Sequence, residues 1–383
     1  MNKLNWGMIG GGEGSQIGLA HRIGAGLDGK FQLAAGALDI VPEKSRAYGV
    51  QLGIDKERAY GNWKEMLAGE LKRSDRVDLV TVATPNETHF EITKAFLENG
   101  FDVLCEKPMT MNPEEGKSIV EIAKKQNRIC AVNYGYTGYP LVRHMRAAVK
   151  RGDLGKIRVV HAEFAGGFFA DAADANNPRV RWRFDPKQAG VSAVTGDAGI
   201  HALHMACFVT AQEVSSLSAD FATCVEGRTL EDDSLIAFRM TEGTVGRLWT
   251  SGLAIGRTHG LTIQVFGEKG GFRWQQEHPN QLFWTPLGHA TQILERGGAG
   301  LSAEADRASR VTVGHAEGMP LAFANIYRDL GEVIQAKREG LKADPLAEEY
   351  PTAEDGFRSI AVIFAAVESA KHDSKWVELN FDE

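Results

Sequence analysis

Short apolar runs at 4–9, 31–38, 77–83, 103–105 and 129–132 recur through the first third of the chain, each closed by glycine, proline or a polar cluster. Unbroken runs of this length read as strands buried on both faces of a parallel sheet. Between them the spacing turns helical. Leu19, Ala20, Ile23 and Leu27 share one side of a helix beginning near Ile17, and further helices are expected over 86–98 and 113–126. Alternation of strand and helix over the first ~135 residues predicts a doubly wound parallel sheet.

After a helix at 140–150 and a strand at 157–164 the pattern changes. Segments 217–224, 234–240, 244–250, 261–266 and 271–274 are separated by glycines and charged pairs, as in a mostly antiparallel sheet. Helices over 321–337 and 352–371 close the chain, the second with a capped start at Thr352. The fold expected is an α/β Rossmann domain with a doubly wound parallel sheet over 1–134, then an α+β domain with a large, mostly antiparallel sheet over 135–383. Residues 288–318 lack periodicity and are too long for an ordinary loop, so they read as an active-site cover or an arm reaching a neighbouring subunit.

Composition narrows the class. With 383 residues, 43% hydrophobic and 24% charged, the chain suits two globular domains. A net charge of −7 argues against nucleic acid or an anionic membrane as partner. No apolar run is long enough to span a bilayer, and Met1 to Gly7 shows no export signal. Cys105, Cys130, Cys207 and Cys224 are scattered, which fits reduced thiols and a cytoplasmic setting.

Candidate chemistry sits at strand ends. Gly10-Gly11-Gly12-Glu13-Gly14-Ser15 lies between a strand and a helix, where glycines let a pyrophosphate approach the helix N–H groups. Asp39, ending the second strand, can bind the ribose hydroxyls of NAD and repel the 2′-phosphate of NADP, or can act as a local cap before Pro42. Arg46, seven residues on, could still meet a phosphate. Thr84 and Asn86 follow the third strand and can pass beside a cofactor, although Asn86 also suits a helix cap. His89 lies in that helix's first turn, a common place for a capping or surface histidine. Glu106 and Lys107 end the fourth strand, where a partly desolvated lysine can exchange a proton near neutral pH or can be half of a solvated charge pair.

In the second half, 168–183 is a polar, alanine-rich insertion carrying Arg179, Arg181, Trp182 and Arg183. It can fold over a sugar, with Trp182 stacking on the ring and an arginine on its hydroxyls, or it can be a solvated loop. Asp197 and His201 lie ~40° apart around a helix, with His204 within ~20° of Asp197. Asp197 can orient His201 as a proton acceptor, while His204 suits a core position. These are metal-ligand types, but no further ligand cluster accompanies them and no metal is expected.

The glycine turn, Ala83-Thr84-Pro85-Asn86 with His89, and Glu106-Lys107-Pro108 together resemble the Gfo/Idh/MocA family, named for glucose-fructose oxidoreductase and inositol dehydrogenase. Asp197-x-x-x-His201 matches the same pattern. Two features depart from it: Ser15 where a small residue is usual, and extra residues before the second strand. The resemblance implies an NAD-dependent dehydrogenase moving a hydride between a ring hydroxyl of a sugar, glycoside or cyclic polyol and the nicotinamide. It implies that Gly10, Gly12, Gly14, Ser15, Asp39, Thr84, Asn86, His89, Glu106 and Lys107 hold the cofactor, and that the bond before Pro108 is cis. Lys107, Asp197 and His201 would be catalytic and would contact substrate with Trp182 and Arg183. A homodimer or homotetramer through the second sheet is expected. Relatives also suggest two alternatives, an NAD-dependent glycosidase working by transient oxidation and elimination, and a non-catalytic NAD-binding regulator.

Overall fold

Leu4, Trp6 and Met8 alternate into one buried cluster, and the strand they form, β1 (Leu4–Gly10), lies inside a sheet of the computed structural model. The structure describes residues 3–177 and 180–381, which group into two units. The first contains the residues up to Gly138 together with Met319–Phe357. Its other strands are β2 (Phe31–Ala37), β3 (Leu79–Ala83), β4 (Asp102–Cys105) and β5 (Cys130–Val132). They run parallel in the order β2-β1-β3-β4-β5. Every residue of β3 and β4 is buried, which is why these segments carry no alternation.

The helices of this sheet are α1 (Gln16–Leu27), α2 (Pro42–Gln51), α3 (Trp63–Glu70), α4 (His89–Glu98) and α5 (Pro113–Lys125). Helix α5 starts where it does because the Asn112 side chain accepts from the Glu115 N–H and Pro113 takes the first helical position. The strand order reverses between β1 and β3, a topological switch point whose carboxyl-end crevice is where such sheets bind ligands.

The second unit contains Tyr139–Gly318 and the residues from Arg358 onward. It opens with α6 (Pro140–Lys150) and β6 (Ile157–Ala165), followed by α7 (Pro186–Ala189) and α8 (Ile200–Thr210). Strands β7 (Val214–Ala222), β8 (Asp233–Met240), β9 (Val245–Ser251), β10 (Leu261–Gly267), β11 (Gly270–Gln275), β12 (Gln281–Pro286) and β13 (Gln292–Glu295) complete its main run. The sheet order is β13-β12-β11-β10-β6-β9-β8-β7, and all pairings are antiparallel except β6 with β9. Helix α8 packs on β6 and β10.

Residues 288–318, aperiodic in sequence, contain regular elements. They hold β13 and a short helix, α9 (Ala303–Ala308), and they close around Arg296. Its guanidinium pairs with Glu317 at 3.0 Å and donates to the carbonyls of Val311, Thr312 and His315. Glu317 in turn accepts the Arg310 and Val311 N–H groups.

Helix α10 (Met319–Glu339) returns to the first unit, where it packs along α1 and adds Ile326, Tyr327, Leu330 and Ile334 to the core of β1 and β2. Met319–Phe357 thus group with the first unit although they follow most of the second in sequence. The helical period of 321–337 marks a buried face without saying which sheet it covers. Helix α11 (Ala353–Lys371) starts in the first unit and ends in the second, and β14 (Val377–Glu378) pairs with β7. Among the described residues no helix is long and apolar enough to cross a membrane.

Candidate active site

In the first unit the carboxyl ends of β1, β3 and β4 gather most of the residues expected to hold a cofactor. Gly10 pairs with Ala83 across the switch point. The glycine turn then folds onto α1 so closely that a Cβ on Gly18 would lie 2.2 Å from the Gly11 carbonyl oxygen. Only glycine permits that approach. Ser15 caps α1 by accepting from the Gly18 N–H at 3.1 Å. Gly14 has φ +77° and open space where a side chain would stand. Asp39 lies on the far wall: a Cβ on Gly12 would be 3.4 Å from its Oδ2, while Oδ1 accepts from the Val41 N–H. The local cap therefore uses one oxygen and leaves the other toward the turn. A glycine cradle, a capped helix start and a carboxylate at the second strand's tip fit NAD, the pyrophosphate on the turn and a ribose on Asp39.

Two arginines clarify this end. Arg46 is bonded to Glu65 at 2.6 Å. Arg22, which sequence reasoning missed, donates to the Gly11 carbonyl at 2.7 Å and to the Tyr48 hydroxyl at 3.1 Å, bracing the turn.

Thr84 and Asn86 follow β3. Asn86 begins a short 3-10 turn before α4, and neither that turn nor α4 has a side-chain cap bond, so the cap expected of Asn86 does not form. His89 is fully buried, with Nδ1 2.7 Å from the Pro108 carbonyl and Nε2 2.8 Å from that of Thr84. Both ring nitrogens face acceptors, the arrangement an imidazolium satisfies with two N–H groups. Burial alone would lower its pKa, but the Cys105 side chain and the two carbonyls outweigh it and raise the value to about 9. His89 thus joins the loop after β3 to the loop after β4.

The Lys107–Pro108 bond is cis. Glu106 is buried, and its carboxylate meets His21 Nε2 at 2.8 Å, the Asn133 amide and the Lys107 N–H at 3.2 Å. Burial would raise its pKa, yet the hydrogen bond and electrostatic attraction from His21, then the Asn133 amide and the Lys107 charge, hold it below the usual value. Glu106 is therefore a buried brace, and Lys107 beside it is half-buried. The solvated charge pair is not what forms.

In the second unit a π turn, Thr195–Gly199, runs straight into α8. Such a turn is wider than an α-helix, so a 100° step does not apply between Asp197 and His201. Glu231, unmarked in the sequence, holds the start of this turn: its carboxylate accepts from the Ser192 hydroxyl and from the Ala193 and Thr195 N–H groups. Asp197 accepts from Arg183 Nε at 2.6 Å, and that guanidinium also lies over Trp182 at 4.3 Å.

The insertion carrying these residues is anchored by buried Arg228, which donates to the Phe169 and Asp171 carbonyls, pairs with Asp232 and covers the Phe184 ring. Arg179 lies outside the described residues. His201 sits 6.2 Å from the Phe164 ring, which stacks on His259 at 4.6 Å. His204 is buried against Phe208. Among the described residues no three His, Cys, Asp or Glu side chains group to hold a metal ion.

Comparison with known proteins agrees with this geometry. Residues 4–134 match the oxidoreductase family with an NAD-binding Rossmann fold, and 142–273 match the GFO/IDH/MocA C-terminal domain. The uncharacterized oxidoreductase YfiI of Bacillus subtilis (strain 168) is 38% identical over 98% of this chain and 96% of its own. The chain belongs to the Gfo/Idh/MocA family of oxidoreductases. Within the family, an inositol dehydrogenase homolog from Azotobacter vinelandii superposes with a TM-score of 0.94 as its NAD+ complex, at 38% identity over 99% of this chain and 98% of that one. Its complex with NADH and myo-inositol gives 0.90 at 36% identity over the same shares. Levoglucosan dehydrogenase of Pseudarthrobacter phenanthrenivorans is 27% identical over 99% of each chain. Family membership makes this chain an oxidoreductase whose first unit is an NAD-binding Rossmann domain.

Proposed function

We propose that the chain is an NAD-dependent dehydrogenase that oxidises a ring hydroxyl of a cyclic polyol or sugar, with myo-inositol-like rings as its first substrate class. The observation that carries this reading is Lys107, delivered at the cofactor end of β4 with its backbone N–H held by buried Glu106. The 36% identical relative bound to NADH and myo-inositol supports the substrate class. Bound NAD supplies the hydride acceptor. Lys107 donates a hydrogen bond to the hydroxyl oxygen, and His201 takes its proton. Asp197, steadied by Arg183, orients that imidazole, and Trp182 offers an apolar face to the ring. The glycine turn, Ser15 and Asp39 bind the nucleotide, with Thr84 and Asn86 beside it, while His89 and Glu106 shape the loops that carry Thr84 and Lys107.

The test is a panel of cyclic polyols and sugars with NAD or NADP, read as absorbance of the reduced cofactor. Reduction with NAD and at least one cyclic polyol is expected, and flat traces throughout would refute the reading. We also propose a homo-oligomer through the nine-stranded sheet. By strand register the exposed Val159, Leu235, Phe266 and Ile293 share one of its faces.

A further inference from the structure

Inside the first unit a line of buried polar side chains runs from the middle of the sheet to the catalytic strand end. Trp6 Nε1 donates to Thr81 Oγ1 at 2.9 Å, Thr81 Oγ1 lies 2.8 Å from the Tyr327 hydroxyl, and that hydroxyl lies 2.8 Å from His21 Nδ1. His21 Nε2 then meets Glu106 Oε1 at 2.8 Å. Trp6, Thr81, Tyr327 and His21 are each no more than 2% exposed. Four separate elements contribute: β1, β3, α10 and α1.

The two ends leave one direction in which every group between them both accepts and donates. An indole N–H can only donate, and a carboxylate can only accept. Thr81 receives from Trp6 and gives its proton to Tyr327. Tyr327 gives its own to His21 Nδ1, and His21 gives its Nε2 proton to Glu106. Each group then makes one bond as acceptor and one as donor. With an imidazolium at His21 the Tyr327 proton would turn back toward Thr81, whose oxygen would face two donors and whose own proton would lose its acceptor. Burial holds the Tyr327 phenol protonated, as the chain requires.

We infer that this one-way chain keeps His21 as the neutral Nε2–H tautomer, and that His21 and Tyr327 are positioning residues acting through Glu106 on Lys107. The aligned dipoles all point their positive ends at Glu106, so the carboxylate keeps its full charge although it is buried. That charge holds the Lys107 backbone N–H and lies beside the lysine that meets the substrate hydroxyl. The inference rests on the role proposed for Lys107.

Two measurements on the full-length protein test it. Nitrogen NMR of 15N-histidine protein reads the tautomer directly: His21 is expected with Nε2 protonated and Nδ1 bare, and an imidazolium or an Nδ1–H tautomer would overturn the chain. Kinetics of His21→Gln, His21→Leu and Tyr327→Phe test the consequence, with NAD binding by fluorescence as the check on folding. An amide can accept at its oxygen and donate from its nitrogen without carrying charge. His21→Gln should therefore stay within about threefold of the wild-type kcat with an unmoved pH profile, while His21→Leu and Tyr327→Phe should lose about tenfold or more, at unchanged KM for NAD. A glutamine variant as slow as the leucine variant would overturn the inference. A wild-type protein inert toward every polyol would remove the proposed reaction instead, and the tautomer would still be decided by NMR.

Discussion

Replacing His89 by leucine removes both donors that the Thr84 and Pro108 carbonyls face inside the first unit. Each buried acceptor left without a partner costs roughly 1–3 kcal/mol, so His89→Leu should lose about 2–6 kcal/mol at pH 6. The loss should depend on pH. The folded-state pKa, raised to about 9, lies above the ordinary value of 6.5, so over that window the folded chain holds a proton that the unfolded chain has released. The stabilisation is complete below pH 6.5, declines as pH climbs, and is gone once pH passes through about 9. A shift of that size corresponds to on the order of 3 kcal/mol. The assay is urea unfolding of wild type and His89→Leu at several pH values between 6 and 10. The gap between the two midpoints should be widest at the acid end and should narrow as pH rises. Midpoints that run parallel across the whole range would show that His89 is neutral in the fold and would refute the imidazolium.

Three further substitutions probe separate parts of the account. Gly18→Ala places a methyl carbon 2.2 Å from the Gly11 carbonyl oxygen, a backbone clash that must shift the turn; an overpacking cost of about 1–3 kcal/mol should appear in calorimetry as NAD affinity weakened about tenfold or more. Arg183→Met takes the guanidinium from Asp197, so kcat should fall about tenfold with KM for the polyol within about twofold, whereas a loss carried by KM would mean that Arg183 binds substrate directly. Arg296→Met leaves buried Glu317 without its guanidinium and should cost about 3–5 kcal/mol, read as a lower urea midpoint and rapid protease cleavage within 288–318.

What the sequence revealed follows from how each feature is encoded. Buried parallel strands announce themselves as unbroken apolar runs, and the polar residues that end them mark the ligand edge, so β1 to β5, the glycine turn and Lys107 are all legible. Helix α2 is not, because its buried residues are only Ser45 and Gly49 and no apolar stripe forms. In β12 only Leu282 is buried, which leaves no alternation to read. The partners of the site residues are hidden for a different reason. Tyr327 stands 306 positions from His21 and meets it only because α10 folds back onto α1. Glu231 reaches the π turn from another loop in the same way, and Arg183 reads in the sequence as a free cation for substrate because nothing local shows that it folds onto Asp197.

Lys107→Ala offers the most direct test of the whole account, measured as single-turnover reduction of NAD by a cyclic polyol that wild type oxidises. Turnover should fall by roughly 10²–10⁴-fold while the dissociation constant for NAD stays at the wild-type value. Reduction at a near-normal rate would show that the lysine at the end of β4 takes no part in the chemistry.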